Sequence, residues 1–502
     1  IHKRILARDE LSQVQRPTGV RPQSGRIFYV MDSPDAKQEY VAKLTYLEFA
    51  NVDAARSALT KIKTDSPLSH RHNTAVIAIE SSNPATARRA AEKLRFDVLP
   101  AGAAGAAGDD KGNAREQFTY LQTHSRPLTD EVARHLPQAC VYLIGESHGI
   151  GVNSEIREQV FKSLYQHRGV RALLMEMPYS ASVLLQKYLT TGDRSILDEV
   201  FGHMQGTPAF TRERKQFWRN IQRWNSELAE SEQIRVYGID IEHQLEHSAA
   251  HLQRLFQQHP LPELAALTSP AYQFPHLHRL AGLLENPQDI SYGTVNTAEW
   301  LEIVQLSLQE LSAHPRAAAE WLGTELLGCK LVLQNILYRY ECVEGGTTDK
   351  AWNRLRDERI YRNFLTLYSA IPRGMRFFGQ WGLNHVFQQR EFDVNWFAAR
   401  LRHSPDSPVK DEICSIALMY EQANQRSKHD QVTSGFSNYL PISGAFFQAA
   451  QWDQTLFSLN RPGSPFRRQL HWMLTTPPPD TGVTTDFFQY AIYVRFSPAS
   501  RG

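Results

Sequence analysis

"VYLIGESHGIG", residues 141–151, passes from a wholly apolar run into polar chemistry within two residues. Val141 to Ile144 is apolar apart from the Tyr142 hydroxyl, Gly145 interrupts it, and Glu146, Ser147 and His148 follow directly. Gly149 and Gly151 come next, then "VNSEIREQVFKSLYQH", whose spacing predicts a helix. A short apolar run leading through glycines into a helix is the pattern of a strand buried on both faces of a parallel sheet. Three further runs repeat it: "VRALLMEMPY" (170–179), "IRVYGIDIEH" (234–243) and "MRFFGQWGLNH" (375–385). Two more, "ICSIALMY" (413–420) and "FFQYAIYVRF" (487–496), also read as strands, and long helical stretches separate the set. The fold class expected is α/β, a mostly parallel sheet flanked by helices. Residues 250 to 370, almost free of strand patterns, should form a helical insertion or cap, and a small α/β domain should precede the body.

Moving outward, "AGAAGAAGDDKGNA" (101–114) is rich in small residues, and its closely spaced glycines argue for a linker or exposed loop rather than a helix. We therefore expect an accessory domain over residues 1–100, a linker over 101–115 and the body over 116–502. In the accessory domain, residues 1–25 read as a polar arm, "RIFYVMDS" (26–33) as a strand, and the chain after it as helical to about Lys63. "NTAVIAIES" (73–81) reads as a second strand, and "NPATARRAAEKLRF" (83–96) as a helix capped by Asn83. Nothing there carries catalytic chemistry. Residues 434–482, rich in Pro, Gly and aromatics, match no regular pattern.

Bulk properties exclude several classes. A chain of 502 residues that is 42% hydrophobic can bury a large core, and its net charge of +2 is far from the strong positive field of a nucleic-acid binder. No apolar run reaches the roughly 18 residues of a membrane span. Cys140, Cys329, Cys342 and Cys414 are scattered with no CxxC pair, so they read as free thiols of a reducing compartment. No signal peptide is visible. The expected location is cytoplasmic, with a secreted effector as the alternative; the start at Ile1 rather than Met leaves trimming open.

Ligands of open parallel sheets bind beyond the carboxyl ends of the strands. Four strands here end in titratable residues: Glu146 and His148; Glu176; Asp240, Glu242 and His243; Asn384 and His385. Side chains two residues apart on an extended chain point the same way, so Glu146 can orient the His148 imidazole, or both can bind one ion. The next helix turns its N-terminal N–H groups to the same crevice, a place for an anion or a developing oxyanion. Structural alternatives stand beside these readings. Glu176 could cap a helix, and His385 could be a core histidine bonded to a carbonyl. One of Asp240 and Glu242 should face the crevice while the other is structural. His243 should point away, and His203, His247 and His251 read as surface. In "AWNRLRDERIYRNFLTL" (351–367), Arg356, Arg359 and Asn363 share a helix face, which spacing alone leaves between solvent and crevice.

Together "IGESHG", "LLMEMP", "FWRNIQRWNSELAESEQIRVYGIDIE", "LRDERIYRNF" and "GLNH" resemble the erythromycin-esterase-like family within the wider ChaN/Tiki superfamily. The likeness runs from Val141 to His385, with a weaker echo in "QYAIYVRFSP". It implies catalytic roles for Glu146, His148, Glu176 and His385, and moves Arg356 and Asp357 from the surface to the site. Asp240, Glu242, Arg356, Asp357 and Asn384 become the expected substrate-binding set. "GESHG" is one residue shorter between Glu and His than is usual in macrolide esterases, closer to the haem-binding and Tiki-like branches.

The leading expectation is a hydrolase acting on an ester, lactone or amide carbonyl, with His148 as general base on water and His385 as acid or oxyanion partner. Ser147 lacks the GxSxG elbow of a nucleophile. The cofactor is expected to be either none or one divalent metal ion held by Glu146, His148, Glu176 and His385, with haem a weaker alternative. The substrate would be a small molecule or peptide. The alternatives are a haem- or ligand-binding protein, a bacterial effector or a peptide-tailoring enzyme, with the N-terminal domain contacting a protein or peptide partner.

Overall fold

The computed structural model describes residues 108–262, 274–285, 297–391, 393–427, 431–438, 445–475 and 478–502, and five strands before them. The chain divides into two units, Ile1–Ala114 with Pro441–Gly444, and Arg115–Leu440 with Ala445–Gly502. In the first, β1 (His2–Ile5), β2 (Ser24–Met31), β3 (Tyr40–Glu48), β4 (His70–His72) and β5 (Ala75–Glu80) make an antiparallel sheet in the order β1-β2-β3-β5-β4. β2 and β5 are the expected strands. Two expectations change: part of the arm pairs as β1, and the expected helix gives way to β3. Its segment "YVAKLTYLE" carries the β-branched and aromatic residues that suit a pleated surface. The helix expected from Asn83 lies outside the described residues. So do residues 101–107, while from Gly108 the chain is helical (Gly108–Thr123) rather than a loop.

The second unit holds an eight-stranded sheet. Its strands are β6 (Ser125–Pro127), β7 (Val141–Glu146), β8 (Ala172–Pro178), β9 (Arg235–Asp240), β10 (Phe377–Gly382), β11 (Ile413–Glu421), β14 (Gln454–Ser458) and β15 (Tyr490–Arg495). A separate hairpin joins β12 (Ala423–Arg426) and β13 (Val432–Phe436). The sheet order is β6-β14-β15-β11-β7-β10-β8-β9, parallel from β15 to β9, with β14 and β6 antiparallel at one edge. All six expected strands are present; the short edge strands and the hairpin carry no sequence pattern strong enough to announce them. Successive residues of β7 face opposite ways: Tyr142 and Ile144 join one apolar cluster, and Val141 and Leu143 the other. This double burial is why the strands read as continuous apolar runs.

The helices Leu245–Gln258, Pro275–Leu283, Thr297–Ala313, Pro315–Leu322 and Leu326–Gly345 build their own core around Leu252, Leu277, Ile303 and Val332, as the strand-poor sequence suggests. The helix Asp349–Ala370 follows and turns Ile360 and Phe364 to the sheet core. No described helix is long and apolar enough to cross a membrane. All four cysteines are free and buried.

One topological fact positions the site. The chain lays down β7, β8 and β9, then inserts β10 between β7 and β8, and continues with β11 on the other side of β7. The four strands with polar ends are therefore consecutive, β7-β10-β8-β9, beside the place where strand order reverses.

Candidate active site

Two imidazoles face each other across the ends of β7 and β10. Each is held at Nδ1 by a carboxylate: His148 by Glu146 Oε1 at 2.8 Å, His385 by Asp357 Oδ1 at 2.9 Å. This fixes Nδ1–H as the donor and leaves each Nε2 turned inward. Between them lies Gly382, the last residue of β10. A methyl group in place of its hydrogen would sit 3.3 Å from His148 Nε2, 3.3 Å from His385 Cδ2 and 3.8 Å from Glu176 Oε2. The missing side chain of Gly382 thus marks the point on which both histidines and Glu176 converge. His148 Nε2 makes no hydrogen bond among the described residues, and the side chain is 45% exposed, whereas that of His385 is 8% exposed.

Glu146 is buried and tied down on both oxygens. Besides His148 it accepts from Gln380, which also donates to the Asn153 carbonyl at 2.9 Å, and Arg157 lies 3.7 Å away. Burial pushes the Glu146 carboxyl up, but the bond and charge of His148, then Arg157 and Gln380, reverse this and hold it below the ordinary carboxylate value. Desolvation works against charging His148, but the Glu146 hydrogen bond and the charges of Glu176 and Glu146 prevail and raise it above an ordinary imidazole. His385 is raised in the same way, against desolvation, by Asp357 and Glu176.

On β8 and β9 the carboxylates are neutralised by Arg356. It donates to Glu176 Oε1 at 2.8 Å, to Asp240 Oδ1 at 3.0 Å and again to Asp240 Oδ2, and its Nη1 lies 3.2 Å from His385 Nε2. Glu176 also accepts the Gly382 N–H at 2.8 Å and stands 3.4 Å from His385 Nε2. Burial opposes its ionisation, yet the charges of His385, Arg356 and His148 hold its carboxyl down at about 2. Asp240, also desolvated, is held far below the usual range by Arg356 and His243. Asp357, fully buried, accepts the Phe397 N–H at 2.7 Å as well as His385.

The structure therefore brings Glu146, His148, Glu176, Asp240, Arg356, Asp357 and His385 together. Glu242 is the structural member of its pair: it accepts from the Ser180 hydroxyl at 2.6 Å and the Ser180 N–H at 3.4 Å, at the start of the helix Tyr179–Thr191, and burial raises its carboxyl to about 8. Asn384 is half-buried and makes no side-chain hydrogen bond among the described residues. Of the shared helix face, only Arg356 enters the site. Arg359 pairs with Glu341 at 2.8 Å, and Asn363 donates to the Ile239 carbonyl at 2.9 Å. His243, expected to point away, contacts Asp240 at 3.1 Å. His247 and His251, expected at the surface, are buried because earlier segments pack against their cap helix: His247 meets the Val200 carbonyl and the His203 ring, and His251 the Tyr179 ring.

Several residues of the site were not anticipated. Gln380 is the polar interruption of the strand "FFGQWG", and Arg157 lies on the stripe Val160, Phe161, Leu164 that its helix buries, so each is a polar residue on an apolar pattern. Gly382 gave no signal beyond being a glycine. Tyr420 and Asn153 bond at 2.6 Å, and Asn153 holds the Ser147 carbonyl at 2.9 Å. The glycines after His148 serve close approach: Gly149 has φ +84°, and a methyl there would lie 1.9 Å from the Arg426 carbonyl oxygen. Distant segments fasten this loop. Gln425 donates to the His148 carbonyl at 2.8 Å, Arg426 and Ser500 N–H groups to the Gly149 carbonyl at 2.9 and 3.0 Å, and Gly151 to the Pro498 carbonyl at 2.8 Å.

Among the described residues, no group of three or more His, Cys, Asp or Glu side chains is arranged to hold a metal ion. Glu176 and Asp240 already face the Arg356 guanidinium, which occupies the place of a counter-cation.

The fold is shared with solved proteins. A Bacillus cereus protein matches 77% of this chain and 98% of its own, with a TM-score of 0.58 at 15% identity. A succinoglycan biosynthesis protein matches 77% of this chain and 98% of its own, at 0.54 and 13%. An erythromycin esterase mutant in its open conformation matches 74% and 94%, at 0.54 and 14%. No protein-family profile and no curated protein matches the sequence. The erythromycin-esterase-like fold that the motifs imply is thus present, and at these identities the likeness speaks for the fold alone.

Proposed function

We propose that the chain hydrolyses an ester, lactone or amide carbonyl by general acid–base catalysis on water. The observation that carries this reading is the pair of carboxylate-oriented imidazoles that converge on Gly382. Neutral His148 takes a proton from water at Nε2 as the oxygen attacks the carbonyl carbon, and Glu146 stabilises the imidazolium that forms. His385 Nε2 accepts from Arg356 at 3.2 Å when neutral; once protonated it turns that N–H to Glu176, 3.4 Å away, and gives the proton to the leaving group as the C–O or C–N bond breaks, the proton on His148 then passing back to it through water. Water is consumed, and an acid and an alcohol or amine leave. Arg356 and Asp357 act as positioning residues, holding Glu176 and the His385 ring in place. The erythromycin esterase among the structural neighbours agrees with this chemistry without extending its substrate to this chain.

The test is turnover of a panel of chromogenic esters and lactones by the full chain, before and after chelation, beside His148→Ala. Turnover that survives chelation and falls by about 10²–10⁴ in the variant is expected for loss of a general base. A panel on which wild type and variant are both at background sinks the hydrolase reading.

A further inference from the structure

Two arginines, Arg157 and Arg214, lie near one another and near His148 at the β7 side of the site, and both are poorly compensated. Arg157 is 3% exposed, with its guanidinium over the Phe217 ring at 5.3 Å. The nearest carboxylate oxygen, Glu146 Oε2, is 3.7 Å from Nη2, beyond a good hydrogen bond, and Nε and Nη1 are buried with no partner. Arg214 lies three residues before Phe217 on the helix Arg212–Ser226, on the face that carries the ring. Its Nε too is buried without a partner, and it makes no ion pair among the described residues. The two guanidiniums repel: after desolvation, Arg214 is the largest influence bringing Arg157 down to about 10. Arg356, by contrast, has Asp240 and Glu176 against it. Proteins seldom bury guanidinium N–H groups unpaired, because the desolvation is not recovered. A planar acceptor with two oxygens matches the guanidinium fork and would supply what is missing.

We propose that the substrate carries an acidic group, a carboxylate or a phosphate ester, and that Arg157 and Arg214 receive it beside His148. The proposal rests on the hydrolase reading for the word substrate, but the subsite stands on the arginines alone. Glu146 lies between the two parts: one oxygen orients His148 and the other faces Arg157. An acidic group on the arginines would place a carbonyl a short arm away at His148 Nε2.

Two measurements on the full chain test it. Thermal unfolding is followed with inorganic phosphate, and separately with succinate, for wild type, Arg214→Gln and Arg214→Lys, at constant ionic strength set with chloride. A saturable rise in midpoint, lost in Arg214→Gln and largely kept in Arg214→Lys, supports the subsite, and the stronger anion names the class. Equal responses in wild type and Arg214→Gln, or none in wild type, overturn it. Hydrolysis of p-nitrophenyl acetate is then compared with that of the mono-p-nitrophenyl ester of glutaric acid. At least a tenfold preference for the acidic ester in kcat/KM is expected, removed by Arg214→Gln through a higher KM. Turnover of both esters without preference refutes the subsite and leaves the hydrolase reading intact. Arg214-dependent anion binding with no turnover of either ester does the reverse.

Discussion

Replacing Arg356 by Met would remove the cation that, among the described residues, faces both Glu176 and Asp240 while keeping much of the side-chain volume. The Arg356 side chain is 12% exposed, and Glu176 and Asp240 are 11% and 1% exposed, so the carboxylates left behind would be two like charges in a nearly dry site. Breaking a buried pair by deleting one partner costs about 3–5 kcal/mol. Glu176 sets an upper bound on its own part of this: a carboxyl held at about 2 rather than 4.5 contributes about 3 kcal/mol at neutral pH, shared among His385, Arg356 and His148. The sign follows from the direction of the shift. A depressed carboxyl stabilises the fold above its unfolded value near 4.5, and that contribution fades as the pH falls toward about 2. In Arg356→Met the same carboxyls, left with only the histidines and the Gly382 N–H, gain by taking up protons, so acid relieves the variant while it weakens the wild type. Differential scanning calorimetry at pH 7.5 and pH 4.5 should show a large gap in midpoint at the higher pH and a much smaller one at the lower. At about 2–4 °C per kcal/mol, the neutral gap should reach roughly 6–20 °C. A gap that is the same at both pH values would refute the charge argument and leave only lost packing.

Other expectations follow from the same geometry. His148→Ala should remain cooperatively folded, because the side chain is half-exposed and Glu146 keeps Gln380 and Arg157 as partners, so a loss of turnover can be read as chemistry. The acid limb of kcat/KM should lie above the ordinary imidazole value of 6.5, because His148 is raised and must be neutral to act as base. In Glu146→Gln that limb should move down toward 6.5; an unmoved limb would assign it to another group. Gly382→Ala should fold normally, since Gly382 has φ −52° and ψ 140°, but its methyl would stand 3.3 Å from His148 Nε2 and lower kcat/KM at least tenfold. Full activity in that variant would place the reacting carbonyl elsewhere.

The parallel sheet was legible because burial on both faces writes each strand as an unbroken apolar run, and a carboxylate or imidazole at its end stands out. The edge strands β6 and β14 were not, being short and paired on few residues. Asp240 and Glu242 show the limit for side chains. Alternation says that one of them serves the crevice, but only the position of Arg356, more than a hundred residues later, and of Ser180 decides which. His247 and His251 were misplaced for the same reason: a polar residue on a helix is buried or exposed according to what packs on it, and here Tyr179, Val200 and His203 come from segments roughly 45 to 70 residues earlier. Arg157 and Gln380 were readable in principle, as polar residues within apolar patterns.

The loop that carries His148 is fastened by Gln425, Arg426, Pro498 and Ser500, from segments made some 270 to 350 residues after it. A growing chain would therefore release the β7 segment long before β10 and β11, which pair with it, and before the groups that fix the imidazole. Closing loops of that length is an entropic cost met only when the late strands have joined the sheet. The acid–base pair would then be among the last features to form during synthesis. Activity would report completion of the whole body, and a nick between residues 427 and 431 could silence the site without touching any residue in it.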